Sequence, residues 1–274
     1  MPGTLYVVAT PIGNLEDLSP RAARLLGEVS LIAAEDTRTT RKLLSHLGLH
    51  TPLISYNEHN ARVRTPRILE ALAGVDVALV SDAGSPLVSD PGAGLVRAAA
   101  DAGYRVSPVP GPSAVITALA AAGMDASRFR FLGFLPRAKK ARLAALEAAA
   151  VDGDTLVLFE APHRALATLA SMRDVLGPRR IVVCRELTKL HEEVWRGTPS
   201  EAITHFVVPR GEFTIVVEAA PRSAPADAVV DVAAARVRMA ELKAMGMGRR
   251  DASAEVAQAY RFPRREAYRL WPDA

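Results

Sequence analysis

The sequence predicts an α/β protein: two α/β domains with a cofactor cleft between them, followed by a small C-terminal helical module. Three observations carry this reading. Short runs rich in Val, Ile and Leu are continuous rather than alternating, which means strands buried on both faces, as in a parallel sheet covered by helices. These runs alternate with helical stretches, the pattern of layered α/β folds. The alternation then restarts after "AAAGMDASR" (120–128), and a chain of 274 residues is too long for one ordinary core.

The elements follow in order. Apolar runs predict strands near 5–9, 31–34, 53–56, 77–80 and 106–109, with helices near 20–26, 37–47, 61–73, 91–102 and 112–122. Residues 1–122 thus form an N-terminal domain with a parallel sheet. The second series has strands near 129–134, 156–159, 181–184, 193–196 and 213–218, and helices near 138–150, 164–176 and 199–205. In "CRELTKLHEEVWRG" only a short loop separates two strands, so this sheet, within a domain spanning 123–220, is expected to be mixed or partly antiparallel. "AAPRSAPADA" (219–228) has two prolines and no large apolar residue, and reads as a linker. Beyond it, "MGMG" and "RFP" punctuate helices near 230–245, 250–260 and 264–271, so that 221–274 is a linker plus a helix-turn-helix-like tail.

Composition bounds the function. Hydrophobic residues at 49% and charged residues at 23% describe a soluble globular protein. No run approaches the roughly 18 uncharged apolar residues of a membrane helix, and "MPGTLYVVATPIGN" has neither a basic leader nor a cleavage-site pattern. The single cysteine, Cys184, precludes an internal disulfide, which fits the cytoplasm, and its place in "RIVVCREL" suggests an inert buried thiol. The six histidines are scattered and no cysteine cluster accompanies them, so no metal site is expected.

The charge of +4 is unevenly placed. From Arg236 to Ala274 there are nine Lys/Arg and five Asp/Glu, and the other residues hold 25 of each sign. The tail therefore carries the whole excess. Arg249, Arg250, Arg264 and Arg265 flank its short helices, placed either to lie along phosphates or to form an ordinary solvated face, a helical cap or a dimer arm.

In open parallel sheets, ligands bind beyond the carboxyl ends of the strands. The loop after the first strand, "ATPIGNLEDLSP" (9–20), has one glycine and no Gly-Lys-Ser/Thr, so it is neither a dinucleotide fingerprint nor a P-loop. Its Pro11, Ile12 and Gly13 form a tight turn, a ligand contact or a plain connection. In "AEDTRTTRKLL" (34–44), Thr37 is the expected N-cap, and Arg38, Arg41 and Lys42 face either phosphates or solvent. "SYNEHNARVR" (55–64) is dense in polar groups. Its Tyr56 could stack on a base while Asn57 and His59 bond base edges or a 2′-hydroxyl, and an Asx-turn cap explains Asn57 and Asn60 equally well.

The fourth-strand loop, in "ALVSDAGSPLVSDPG" (78–92), takes about a dozen residues, far more than a turn needs. In "PVPGPSAVITAL" (108–119), Ser113 fails the G-x-S-x-G elbow because Val115 stands where glycine should be, so a serine hydrolase is not expected. The amides of residues 112–115 would instead point outward at a helix start. Two rigid Gly/Pro loops at neighbouring strand ends make a preformed pocket. In the second domain, Glu160 and Glu186 end strands and would line the cleft, or cap helices and pair with Arg164 and Arg185.

Taken together, "LYVVATPIGNLEDLSPRA", "AAEDTRTTRKLL", "SYNEHN", "LVSDAGSPLVSDPG", "PGPSA", "FLGFLPR", "FEAPHR" and "RELTKLHEEVWRG", in this order, closely resemble the bacterial ribosomal RNA small-subunit methyltransferase I family. That family belongs to the tetrapyrrole (corrin/porphyrin) methylase superfamily, and the likeness spans residues 5 to about 218. The resemblance implies S-adenosyl-L-methionine bound between the two α/β domains and 2′-O-methylation of a cytidine ribose in 16S rRNA of the small ribosomal subunit, near the decoding centre. It implies a cytoplasmic homodimer. By the same resemblance the cofactor would contact Pro11, Ile12, Asp82, Ala83, Gly84, Ser85, Ser113 and Ala114, with Phe159 and the Arg185–Glu186 strand end. A ribose hydroxyl is a poor nucleophile, so a base is expected: Glu160 or Glu186, with Asp36 and Lys189 in reserve. A corrin or porphyrin methylase and a non-catalytic rRNA-binding assembly factor are the competing readings.

Overall fold

The computed structural model describes residues 2–151, 153–220, 232–260 and 264–272, without the side chains of Gln258, Arg264 and Arg265. The chain divides into two compact units, 1–220 and 221–274. The first holds two five-stranded sheets with their helices.

The first sheet has the strands β1 (Thr4–Val8), β2 (Leu31–Ala34), β3 (Leu53–Ser55), β4 (Val77–Val80) and β5 (Arg105–Val109) in the order β3-β2-β4-β1-β5, all parallel. All four residues of β4 are buried, the continuous hydrophobicity expected of a strand covered on both faces. Connections leave β1 and β4 in opposite directions along the sheet, so the order reverses between these two neighbours. Such a switch point opens a crevice at the strands' carboxyl ends. The helices of this half are α1 (Pro20–Glu28), α2 (Thr37–His46), α3 (Ala61–Leu72), α4 (Ala93–Asp101) and α5 (Ala114–Ala122).

The second sheet is mixed, in the order β6 (Phe129–Phe134), β7 (Thr155–Glu160), β10 (Phe213–Val217), β8 (Ile181–Arg185), β9 (Glu193–Gly197). Strands β6 and β7 are parallel, while β10 runs antiparallel to both β7 and β8, and β9 antiparallel to β8. Phe213, at the start of β10, consequently lies opposite both Glu160 and Arg185. Helices α6 (Lys139–Ala150), α7 (Pro162–Leu176) and α8 (Pro199–His205) cover the face built on Leu156, Leu158, Ile181 and Ile215. The other face, with Val157, Val182 and Val216, packs on α5 through Val115, Ala118 and Leu119. Each fully buried valine contributes roughly 1.5–3 kcal/mol. This apolar seam welds the two sheets into one unit and floors the space between their edges.

Helices α4 and α5 start two residues later than expected, each beside a Pro-Gly turn. Helix α4 begins at Ala93, because Gly92 at φ 135° breaks the helical path, and α5 begins at Ala114 behind an extended Ser113. At α2 the cap is Asp36 rather than Thr37: its carboxylate accepts from the Arg38 backbone N–H at 2.8 Å. The paired Arg38 side chain draws that carboxyl down to a pKa of about 2.

The C-terminal unit contains α9 (Val232–Ala244), α10 (Arg249–Ala259) and α11 (Arg264–Arg269) around Ala235, Met239, Leu242, Ala252, Val256 and Ala267. Arg249 stacks on Tyr268, 4.2 Å from the ring centroid, and donates to the Tyr268 carbonyl at 3.0 Å. One of its expected RNA contacts is therefore engaged in holding the module together, whereas Arg250 is exposed. The side chains of Arg264 and Arg265, and most of the expected linker, lie outside the described residues. No helix among the described residues is long and apolar enough to cross a membrane.

Candidate active site

The crevice beyond β1 and β4 is bounded by three loops that are sewn together. Thr10 and Gly84 exchange backbone hydrogen bonds at 2.9 and 3.0 Å, joining the first-strand turn to the fourth-strand loop. The Thr10 hydroxyl donates to the Ser81 carbonyl at 3.2 Å. The Ser85 hydroxyl donates to the Pro112 carbonyl at 3.3 Å, adding the third loop. Gly84 holds φ +78°, and a Cβ there would stand 3.3 Å from Ile12 Cγ2. Leu87 and Ser89 also sit in the left-handed region, at φ 74° and 66°. Strain of this kind costs about 1–3 kcal/mol per residue and persists only where surroundings impose it. A pocket with a preset shape is the consequence.

That pocket is a cavity of about 390 Å³, within the range of small-molecule sites. Ile12, Ala83, Gly84, Ser85, Ser113 and Ala114 line one side and Phe159 the other, so seven of the nine expected cofactor residues meet here. Phe159 packs against Phe131 and Phe134, with ring centroids 4.9 and 5.7 Å away. The Ser113 side chain makes no cap bond, leaving the first-turn amides of α5 for a ligand. Pro11 and Asp82, the other two, face an adjoining cavity of about 480 Å³ with Thr39, Lys42 and Lys189 on its walls. An apolar slot with free backbone donors and close glycine backbone fits a nucleoside bearing a charged amino-acid arm.

Cys184 borders the first cavity and is buried, which pushes its thiol up to about 11. At about pH 8 the native protein should therefore resist iodoacetamide, with alkylation only on unfolding. Mass spectrometry of native and urea-treated samples checks this, and rapid native labelling would contradict it.

The two carboxylates expected to act as bases are both engaged. Glu160 is 1% exposed; it accepts from the Thr168 hydroxyl at 2.5 Å and the Ala161 amide at 2.9 Å, and pairs with Arg164 at 3.3 Å. Arg164 in turn bonds the Leu135 carbonyl. Glu160 lines the first cavity, and these bonds tie the end of β7 to α7 and the loop after β6. Glu186, at φ 52°, accepts from the Glu212 amide at 2.9 Å and from Lys189 Nζ at 3.0 Å. These bonds, led by the amide, hold its carboxyl below the usual range and make it a poor base.

The expected RNA contacts divide as well. Arg38, Arg41 and His59 are exposed, Arg38 paired to Asp36 at 2.6 Å. Asn57 and Asn60 form the Asx turn: Asn57 Oδ1 accepts from the His59 and Asn60 amides, and Asn60 Oδ1 from the Asn57 amide. Tyr56 is 1% exposed, with its hydroxyl 3.1 Å from that of Thr65. It packs in the core and offers no face to a base.

One residue that strand-end reasoning missed is Glu212. It precedes a buried strand, and only carboxyl ends of strands were searched. Because β10 is antiparallel to its neighbours, its amino end joins their carboxyl ends at the cleft. An acidic residue at the start of an apolar run in a mixed sheet was the available signal.

The Tetrapyrrole (Corrin/Porphyrin) Methylases family profile matches residues 4–203. The chain is 46% identical over 273 residues to "Ribosomal RNA small subunit methyltransferase I" of Synechocystis sp., covering 98% of this chain and 97% of that protein. It is 42% identical over 275 residues to the protein of that name from Haemophilus influenzae, covering 98% and 96%. Among solved structures, a diphthine synthase aligns with TM-score 0.64 at 13% identity, covering 79% of this chain and 90% of that one. A uroporphyrin-III-C-methyltransferase from Thermus thermophilus aligns with TM-score 0.54 at 22% identity, covering 78% and 94%; these two likenesses speak to the fold alone. The chain belongs to the ribosomal RNA small subunit methyltransferase I family, within the tetrapyrrole (corrin/porphyrin) methylases.

Proposed function

We propose that this protein transfers a methyl group from S-adenosylmethionine to the 2′-hydroxyl of a cytidine ribose in 16S rRNA, near the decoding centre. The observation that supports this most is the preformed cavity between the sewn loops and Phe159, in a chain alike almost from end to end to proteins named for small-subunit rRNA methylation.

When bound, the cofactor supplies an electrophilic methyl on a sulfonium. The protein's own work is positioning, which converts an encounter of two partners into a reaction within one complex. Ile12 and Phe159 offer apolar walls to the nucleoside, and the backbone around Gly84 and the first turn of α5 offers polar contacts to the amino-acid arm. Phe131, Phe134 and Phe159 form an aromatic group at the edge of the cavity. Arg38, Arg41 and Lys42 lie on α2 beside the second cavity, placed for the phosphates of an incoming strand. The C-terminal module, with the chain's excess positive charge, adds a further rRNA contact, and the working unit is a cytoplasmic homodimer.

The test is tritiated methyl transfer to small subunits that lack the modification, followed by alkaline hydrolysis. A 2′-O-methyl group blocks strand cleavage, so the reading predicts one alkali-resistant dinucleotide with labelled cytidine. Label on a base, or transfer only to a tetrapyrrole, would overturn it.

A further inference from the structure

We propose that Glu212, held beside Lys189 where the two cavities meet, takes the proton from the acceptor hydroxyl, and that the second cavity seats the acceptor nucleotide. This rests on the methyl-transfer reading above. Among the described residues, Ile12, Ala83 and Glu212 line both cavities, and of these three Glu212 alone has a polar side chain. A donor in the first cavity and an acceptor in the second would meet across that shared wall.

The carboxylate is mounted for the task. Its side chain is 78% exposed, unlike that of Glu160 at 0%. Oε2 accepts from Lys189 Nζ at 2.9 Å, and among the described residues no hydrogen bond reaches Oε1. The backbone is clamped: the Glu212 amide donates to Glu186 Oε1 at 2.9 Å, and the Glu186 amide donates to the Glu212 carbonyl at 3.0 Å. Gly211 holds φ +77°, and a Cβ there would come within 2.4 Å of Glu186 Cγ, so the turn closes tightly on that side chain. Glu186 thereby fixes both Glu212 and Lys189. Asp82, the other acid on the second cavity, spends Oδ1 on the Asp36 amide and does not reach the first.

The step balances. The acceptor oxygen's electron pair forms the new C–O bond to the methyl group. The S–C bond breaks with its pair left on sulfur, neutralising the sulfonium. The hydroxyl proton passes to Glu212 and then to water. The oxygen becomes strongly acidic once the C–O bond forms, so a carboxylate oxygen placed beside it can take the proton. Lys189 holds that carboxylate in place.

The experiment compares single-turnover methyl transfer to unmodified small subunits by the unaltered chain, Glu212→Gln and Glu212→Ala. Calorimetry with S-adenosylhomocysteine and a subunit-binding assay accompany it. Glu212→Gln should lose about 100-fold or more in rate, as for a lost general base, while both affinities stay within about threefold. Glu212→Ala should speed up with added formate and not with formamide, since a small carboxylate can fill the space. A Glu212→Gln rate within about threefold of the unaltered chain overturns the proposal, as does a loss of cofactor affinity in step with rate, or no response to formate. No transfer by the unaltered chain would instead fail the parent reading.

Discussion

Glu160→Ala should destabilise the folded protein by about 3–5 kcal/mol, the usual cost of removing one partner from a buried ion pair. The carboxylate is fully buried and holds Thr168, Arg164 and the Ala161 amide together. Its loss leaves the Arg164 guanidinium, whose side chain is 16% exposed, without a counter-charge. It also frees the end of β7, which lines the first cavity. Urea unfolding reads the change directly. Glu160→Gln should cost less, because its amide oxygen can still accept from Ala161 while its NH2 donates to the Thr168 hydroxyl. Unchanged stability with a large fall in turnover would return Glu160 to the reacting centre.

Gly84→Val should weaken S-adenosylhomocysteine binding by about 5- to 150-fold. That factor corresponds to about 1–3 kcal/mol of backbone strain. A β-branched residue resists φ +78°, and its Cβ would press on Ile12. The loop must then give up the reciprocal Thr10–Gly84 hydrogen bonds that shape the pocket. Gly94→Ala is the matched control, since nothing lies within 4 Å of its Cβ and the site is helical. It should bind normally and gain roughly 0.5–1 kcal/mol of stability. Full affinity in Gly84→Val would mean that the loop does not shape the donor site.

Much of the fold could be read from the sequence because burial leaves a local mark. The run Val77–Val80 declares a strand covered on both faces whatever surrounds it, and the Gly/Pro-rich loops after β4 and β5 declare rigid turns. Most residues lining the first cavity's loop side were legible for the same reason: they are positions in rigid turns. Roles that depend on partners distant in sequence were not legible. Nothing local to Glu160 announces that Thr168 and Arg164 will enclose it, and nothing local to Tyr56 says that its ring turns inward. Glu212 is the sharpest case. Its place at the cleft follows from the direction of β10, which is set by pairing with β7 and β8, more than 50 and 20 residues away in the chain.

The account rests on the three sewn loops being the methyl-donor site. A crystal structure of the protein with S-adenosylhomocysteine tests this most directly. The account predicts the ligand between the Gly84–Ser85 backbone, the first turn of α5 and Phe159, with its sulfur facing Glu212 in the shared wall. A ligand bound in the second cavity or elsewhere, with those loops filled by side chains, would contradict it.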